Sequence, residues 1–143
     1  MRNLEGVDPA LVGIVKLAIK RTSIDFAVTE GLRTLERQKV LFEKGATKTL
    51  NSKHLTGRAV DLVAYLDGRI SWEVSLYDEI AAAMRSAAID VGQSLRWGGS
   101  WTIWDIRDWD LPMEEAMQLY IDQRVMQGKR PFIDAPHFEL VSN

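Results

Sequence analysis

The chain has 143 residues, of which 46% are hydrophobic and 27% are charged, with a net charge of −2 and no cysteine. This length fits one domain with a sizeable core, and the missing cysteines exclude disulfides, thiolate nucleophiles and cysteine-based zinc sites. Basic residues outnumber acidic ones by 11 to 6 in the first 60 positions, and acidic residues outnumber basic ones by 14 to 7 in the rest. Such an imbalance is too small to argue for nucleic acid binding. It indicates either two solvated faces of opposite charge or a basic flank attracted to an anionic polymer such as a cell wall.

Capping and turn residues divide the first half of the chain into short elements. Asp8 before Pro9 predicts a helix start, Thr34 can cap a second helix, and Asp67-Gly68 is a strong hairpin signal. The elements predicted here are a helix over 9–21, a strand over 24–29, a helix over 34–44, a loop over 46–57, a strand over 58–66 and a short partner strand at 69–70.

The second half continues the mixture of helices and strands. Ser75 with Asp78 resembles a capping box, and Pro112 followed by two glutamates marks another helix start. The elements predicted here are an alanine-rich helix from 75 to about 92, a short strand over 95–97, a helix from 112 to about 127 and a final strand over 137–141. Because there is no regular βαβ alternation, we predict one α+β domain over residues 1–143 with a mainly antiparallel sheet packed with helices.

The first of only two histidines lies close to an aspartate on a predicted strand. His54 ends the polar loop, and Asp61 interrupts an otherwise small, apolar strand face. A buried carboxylate there needs a partner, and a cation is the obvious one. Gly57 lets the backbone turn so that His54 can reach Asp61, while the Ser52 hydroxyl can orient the loop.

The second histidine follows an acidic residue in Asp134-Ala135-Pro136-His137. Pro136 disfavours helical geometry at Ala135, so the two polar groups do not share a helix face. In an ideal strand, positions three apart point to opposite faces. A shared site therefore requires a turn or bulge around Asp134-Ala135.

Two imidazoles and one carboxylate form the ligand set of a catalytic zinc ion with an open fourth position. We therefore predict that His54, Asp61 and His137 bind Zn²⁺, and that Asp134 is the general base that later protonates the leaving amine. Glu139, two residues after His137, is either a structural strand residue or an alternative base.

Other polar and aromatic residues near these segments have open roles. Arg33 is a candidate for holding the substrate carbonyl or its oxyanion, and the alternative is a salt bridge to Glu30 or Glu36. Four of the five tryptophans lie between positions 97 and 109. We expect Trp97 in the core. Trp101, Trp104 and Trp109 either pack in the interior or line a substrate groove. The aspartates at 105, 108 and 110 belong to a solvated loop or to a second, regulatory ion site.

Residues 52–61 match the motif S-x-H-x-x-G-x-A-x-D of the D-Ala-D-Ala metallopeptidases at every specified position. That group belongs to the LAS-type zinc peptidases, whose fold is shared with the hedgehog signalling domain. Residues 134–137 resemble the aspartate version of the second motif, found in phage endolysins that cleave the L-alanyl-D-glutamate bond. Residues 96–101, R-W-G-G-S-W, are similar to the R-W-G-G-D-W segment of those endolysins, with serine in place of aspartate.

The resemblance covers roughly residues 8–141 and implies a LAS/hedgehog-like zinc peptidase domain that acts on bacterial peptidoglycan. It implies zinc ligands at His54, Asp61 and His137, a base at Asp134, and Arg33 in a substrate-binding turn. We also expect substrate contacts from Ser52 and Trp101. Residues from about 102 to 130 are longer than the connection expected, so they form a possible insertion that covers or extends the groove. A separate cell-wall-binding domain is not expected.

The leading hypothesis is a phage or prophage endolysin that hydrolyses the stem peptide, most simply at L-alanyl-D-glutamate. The alternatives are a D-Ala-D-Ala carboxypeptidase and a non-catalytic zinc-binding module of the same fold. The first residues lack a signal peptide and no apolar run could span a bilayer, so we expect the protein to be made in the host cytoplasm and to reach the wall after release by another factor. We also expect a monomer. Nucleic acid binding and membrane insertion are not expected.

Overall fold

The computed structural model describes residues 2–47, 49 and 52–141, which form four α-helices and five strands. In chain order they are α1 (Pro9–Arg21), β1 (Phe26–Glu30), α2 (Leu35–Glu43), β2 (Ala59–Leu66), β3 (Arg69–Ser71), α3 (Val74–Val91), β4 (Leu95–Trp97), α4 (Met113–Met126) and β5 (His137–Leu140). Short 3-10 turns cover Arg2–Leu4, Lys53–Thr56 and Ile106–Asp108. The predicted α+β class is confirmed.

The five strands form one antiparallel sheet in the order β1-β2-β5-β4. One edge of β2 pairs with β1, and the other edge pairs with β5 near its start and with β3 near its end. The β2–β3 hairpin turns at Asp67-Gly68, where both residues have positive φ, as the sequence predicted. Asp61 is the register partner of Glu30 on one side and of His137 on the other.

The two faces of the sheet differ because side chains alternate along each strand. One face packs on α1, α3 and α4 in a single core. Its strand residues are Val60, Leu62 and Ala64 of β2, Phe138 and Leu140 of β5, and Leu95 and Trp97 of β4. The opposite face carries the intervening residues, among them Asp61, His137 and Glu139. The polar groups of interest therefore share one face of the sheet.

Most predicted helix ends agree with the structure. The Asp8 carboxylate accepts a hydrogen bond from the Ala10 N–H at the start of α1, and the Thr34 hydroxyl accepts one from Arg37 at the start of α2. The capping box predicted at Ser75 is wrong. Helix α3 begins at Val74 after Glu73, which makes no side-chain cap, so Ser75 and Asp78 lie inside the helix.

Three other boundaries differ slightly from the prediction. Strand β1 starts at Phe26 because the Thr22 hydroxyl bonds both the N–H and the carbonyl of Ile24 and holds it in a turn. The predicted loop contains the 3-10 turn at Lys53–Thr56, and β5 ends at Leu140. In the described part of the chain, no helix combines the length and apolar character needed to span a bilayer.

Candidate active site

Hydrogen bonds fix both the backbone and the imidazole ring of His54. The Ser52 hydroxyl accepts a hydrogen bond from the His54 N–H, and the His54 carbonyl accepts one from the Arg33 N–H at 2.9 Å. The His54 Nδ1 lies 2.8 Å from the Gly31 carbonyl oxygen, so Nδ1 carries the proton and donates it. The other nitrogen, Nε2, is buried without a hydrogen bond and faces the Asp61 carboxylate, with Oδ2 at 3.3 Å.

Asp61 lies between the two histidines on β2. Its Oδ2 faces His54, and its Oδ1 is 3.2 Å from the His137 Nδ1. Burial alone would raise the pKa of Asp61, but the contact with His137 outweighs it and holds that pKa well below its usual range. Asp61 is therefore an anion enclosed by two nitrogen ligands.

His137 is placed by a turn at the beginning of β5. The His137 N–H donates to the Asp134 carbonyl at 3.0 Å, which closes a turn through Ala135 and Pro136. Gly98 bonds both ends of this turn, because its N–H donates to the His137 carbonyl and its carbonyl accepts from the Asp134 N–H. The bend that the sequence demanded at Asp134-Ala135 is present.

The His137 ring contacts a carboxylate through each nitrogen. Nδ1 approaches Asp61, while Nε2 lies 2.8 Å from Glu139 Oε1. Burial lowers the pKa of His137, but the two carboxylates outweigh it and raise the pKa to about 9. His137 and Lys53 likewise outweigh the effect of burial on Glu139 and lower its pKa.

His54, Asp61 and His137 form a group that could hold a metal ion, because one ligand atom from each lies within 4.8 Å of the others. The His54 Nε2 lone pair and the Asp61 oxygen repel each other at 3.3 Å unless a cation lies between them. Two imidazoles and a carboxylate suit a divalent transition metal and leave a coordination position open. The donor set therefore fits a catalytic metal.

Asp134 and Arg33 line the same cavity as the three ligands, which has a volume of about 430 Å³. Burial raises the pKa of Asp134 above that of an ordinary aspartate, and Asp61 adds to this effect although His137 opposes it. The Arg33 guanidinium is buried, with Nε 2.6 Å from Glu30 Oε1 and Nη2 3.5 Å from Asp61 Oδ2. The salt bridge to Glu30 considered from the sequence is thus present, and it fixes Arg33 beside a ligand.

Sequence reasoning missed two polar residues that contact the site: Lys53, which lines the cavity, and Gln38, which bonds Arg33. Gln38 on α2 is fully buried and its Oε1 accepts from Arg33 Nη1 at 2.7 Å, while Lys53 Nζ lies 3.3 Å from Glu139 Oε2. The signal for Gln38 was its position: it lies four residues after the Thr34 cap, on the face of the helix that is buried. No local signal marks Lys53, since its partners are more than 80 positions away.

The four tryptophans between positions 97 and 109 lie in different environments. Trp97 is completely buried, as predicted, and its indole N–H donates to the Ala135 carbonyl at 2.7 Å, which secures the turn before His137. Trp101 lines the cavity with its ring 5.4 Å from that of His137. Trp104 is exposed and stacks on Arg96, and Trp109 packs on the core. Among described residues, none from 102–130 lines this cavity. Trp101 and Phe132, on either side of that range, do line it.

A model of the phage L-alanyl-D-glutamate peptidase family matches residues 1–141. The L-alanyl-D-glutamate peptidase of Escherichia phage T5 is 28% identical over 104 residues, which cover 70% of this chain and 76% of that protein. That of Listeria phage A118 is 29% identical over 79 residues, 55% of this chain and 27% of that protein.

Two solved structures are also similar. The L-Ala D-Glu endopeptidase ChiX of Serratia marcescens has a TM-score of 0.73 and 37% identity, covering 98% of this chain and 84% of that one. The D,D-dipeptidase VanXYg, solved with a D-Ala-D-Ala phosphinate analogue, has a TM-score of 0.51 and 17% identity over 95% of this chain and 51% of that one, and it shares the fold alone. Since the family model spans nearly the whole chain and the site lies within that span, this chain belongs to the phage L-alanyl-D-glutamate peptidase family.

Proposed function

We propose that the chain is a zinc endolysin that hydrolyses the L-alanyl-D-glutamate bond of the peptidoglycan stem peptide during host lysis. The observation that carries the proposal is the convergence of His54, Asp61, His137 and Asp134 on one cavity in a member of this family. The cavity is large enough for a short peptide segment and polar enough to orient it.

His54, through Nε2, Asp61, and His137, through Nδ1, would hold the zinc ion. When bound, zinc lowers the pKa of a coordinated water and polarises the substrate carbonyl. The chain itself orients the ligands: the Gly31 carbonyl fixes the His54 proton on Nδ1, and the turn at Asp134–His137 directs the second imidazole towards Asp61.

Asp134 is the proposed acid–base group. It accepts a proton from the attacking water and then protonates the nitrogen of the departing D-glutamyl residue. Burial supports both steps, because a carboxyl group with a raised pKa is a better base when ionised and holds the proton long enough to deliver it. The rigid turn keeps Asp134 beside the ligand His137.

Arg33 is the proposed electrophilic group for the substrate carbonyl oxygen. Glu30, Gln38 and Asp61 engage three of its five N–H groups, which leaves one on each terminal nitrogen. The guanidinium is therefore already oriented before substrate binds, which is the condition for electrostatic stabilisation of a developing oxyanion. Ser52 and Trp101, on the same cavity wall, are the proposed substrate contacts.

Product analysis tests the bond. Zinc-loaded protein is incubated with purified peptidoglycan, and the products are separated and identified by mass spectrometry. We expect stem peptides that begin with a new D-glutamyl amine, and glycan strands whose muramic acid residues retain only L-alanine. Release of free D-alanine would instead support a D-Ala-D-Ala carboxypeptidase, and an inert, zinc-loaded protein would support a binding module.

Substitution of Asp134 tests the mechanism. Asp134→Ala should bind zinc and keep its fold but lose about 10²–10⁴-fold in hydrolysis rate, because only proton transfer is removed. Asp110→Ala is the matched control, since Asp110 is exposed and lies outside the cavity. Wild-type rates in Asp134→Ala would remove this residue from the mechanism, whereas a loss of zinc would assign it to the ligand set.

A further inference from the structure

Glu139 is a buried carboxylate on the functional face of the sheet that the proposed chemistry does not use. Only 8% of its surface is exposed, and its strand partners are Ala59 on β2 and Arg96 on β4. A carboxylate buried to this degree requires compensation for its lost hydration. Two groups on the cavity side, His137 and Lys53, provide this compensation.

Both oxygens of Glu139 are engaged. Oε1 lies 2.8 Å from His137 Nε2, and Oε2 lies 3.3 Å from the Lys53 ammonium group. Lys53 is itself anchored by a hydrogen bond to the Leu140 carbonyl at 2.5 Å. Because both oxygens of Glu139 are bonded to neighbouring residues, Asp134 rather than Glu139 stays the proposed general base.

The geometry points to Glu139 as a positioning residue that keeps the proton of His137 on Nε2 and thereby presents Nδ1 to the metal. This inference rests on the proposed metal site. A neutral imidazole carries one ring proton, and a carboxylate at Nε2 accepts a hydrogen bond only if the proton is there. The remaining lone pair, on Nδ1, then faces Asp61 Oδ1 at 3.2 Å.

The two histidine ligands are consequently unlike. His54 donates its second N–H to a neutral carbonyl, that of Gly31, and presents Nε2. His137 donates to an anion and presents Nδ1. A hydrogen bond to a carboxylate increases the basicity of the metal-binding nitrogen, so His137 is the ligand whose affinity depends most on its outer partner. Lys53 acts one step further out by holding the Glu139 carboxylate in place.

Metal affinity of Glu139→Gln tests the inference. An amide can turn its NH₂ group towards Nε2, which moves the ring proton to Nδ1 and blocks that ligand. We expect about a 10- to 100-fold loss of zinc affinity, measured by competition with a chromophoric chelator. Lys53→Met should shift affinity in the same direction by less. Glu36→Gln, an exposed substitution of the same kind on α2, is the control and should leave affinity unchanged.

Nitrogen NMR with labelled histidine provides a readout that a merely structural role would not move. In the zinc-loaded wild-type protein we expect His137 to be protonated at Nε2 and metal-bound at Nδ1, and His54 to show the opposite arrangement. Coordination of His137 through Nε2 would overturn the inference, as would unchanged zinc affinity in Glu139→Gln. Because the NMR result needs only the wild-type protein, the inference stays testable if Glu139→Gln does not fold.

These readouts separate the inference from the proposed function. Neither zinc competition nor NMR involves peptidoglycan, so a protein that binds zinc through His137 Nδ1 but cleaves no stem peptide would contradict the proposed function alone. A wild-type protein that binds no zinc would contradict both.

Discussion

His137 is the residue whose charge responds most directly to metal binding. Both of its nitrogens contact carboxylates, which outweigh the effect of burial and raise its pKa to about 9. A metal at Nδ1, as proposed above, would replace a proton there. Protons and metal therefore compete for this ring across the neutral range.

This competition predicts a pH dependence of stability for the metal-free protein. The folded-state pKa of about 9 exceeds the ordinary histidine value of about 6.5, so the folded state binds the proton more tightly. The stabilisation is complete below about pH 6.5 and is lost as the pH rises to about 9. We expect the free energy of unfolding, measured with denaturant in the presence of a chelator, to fall over that window. His137→Gln should flatten the profile, and a flat wild-type profile would contradict the pairing.

At the residue scale, the sequence was informative where chemistry limits the choice. His54, Asp61, Asp134 and His137 were identifiable because a chain with two histidines and no cysteine offers few ways to bind a transition metal, and all four line the cavity. Arg33 was harder. The sequence allowed a substrate contact or an ion pair, and only tertiary packing shows that the pair with Glu30 places the guanidinium in the cavity.

At the scale of elements, the 3-10 turn at Lys53–Thr56 depends on a glycine. Gly57 ends this turn with φ 71°, and a Cβ atom there would lie 2.3 Å from the Gly6 carbonyl oxygen. The neighbouring backbone is tied in place, since the Asp8 N–H donates to the Gly57 carbonyl at 2.8 Å. The N-terminal segment therefore packs directly on the turn that carries His54.

Gly57→Ala should consequently destabilise the protein by more than the positive φ of this position alone would cost. Gly45→Ala is the matched control, because Gly45 has φ 74° but open space around its Cβ position. We expect a cost of about 1 kcal/mol for Gly45→Ala and several kcal/mol for Gly57→Ala, measured by denaturant unfolding. Equal costs for the two variants would show that the contact with Gly6 relaxes easily.

Elements with local stop and start signals were predictable, and those set by packing were not. Asp8, Thr34 and the Asp67-Gly68 turn act through bonds within a few residues, so their effect is visible in the sequence. The start of α3 is different. Its residues fit a capping box, but the Tyr77 hydroxyl donates to the Ser71 carbonyl and accepts from the Ala64 N–H, which ties the helix to the sheet. Val74 rather than Ser75 then begins the helix.

At the scale of the whole molecule, the ligands come from three separate parts of the chain. His54 lies in the 3-10 turn, Asp61 on β2 and His137 at the start of β5, so a bound ion links segments up to 83 positions apart. The antiparallel sheet was predictable from the mixture of elements, whereas its strand order was not, because no local signal places β5 between β2 and β4. The boundaries of the possible insertion at 102–130 remain a prediction; within it, α4 packs on the core through Met113, Ala116 and Met117.

Metal removal should therefore lower global stability. A ligand present at about 100 times its dissociation constant stabilises the folded state by about 2.7 kcal/mol, which corresponds to several degrees in the thermal midpoint for a domain of this size. We expect the midpoint to fall by that amount on chelation and to recover on addition of zinc. His54→Ala is the control, and its midpoint should not respond to zinc. A zinc-independent midpoint in the wild-type protein would contradict the ligand assignment.

The two backbone bonds of Gly98 to the Asp134–His137 turn have a mechanical consequence. They make Asp134, the proposed general base, and one candidate metal ligand parts of a single stiff piece of chain. A Cβ atom on Gly98 would lie 2.2 Å from the Asp134 carbonyl oxygen, so no larger residue fits at position 98. Asp134 and His137 therefore keep their mutual spacing if the cavity changes width, whereas His54 lies on a separate segment of the chain. A bound metal ion would join this piece of chain to His54, in addition to the bonds that Lys53 makes to Glu139 and to the Leu140 carbonyl.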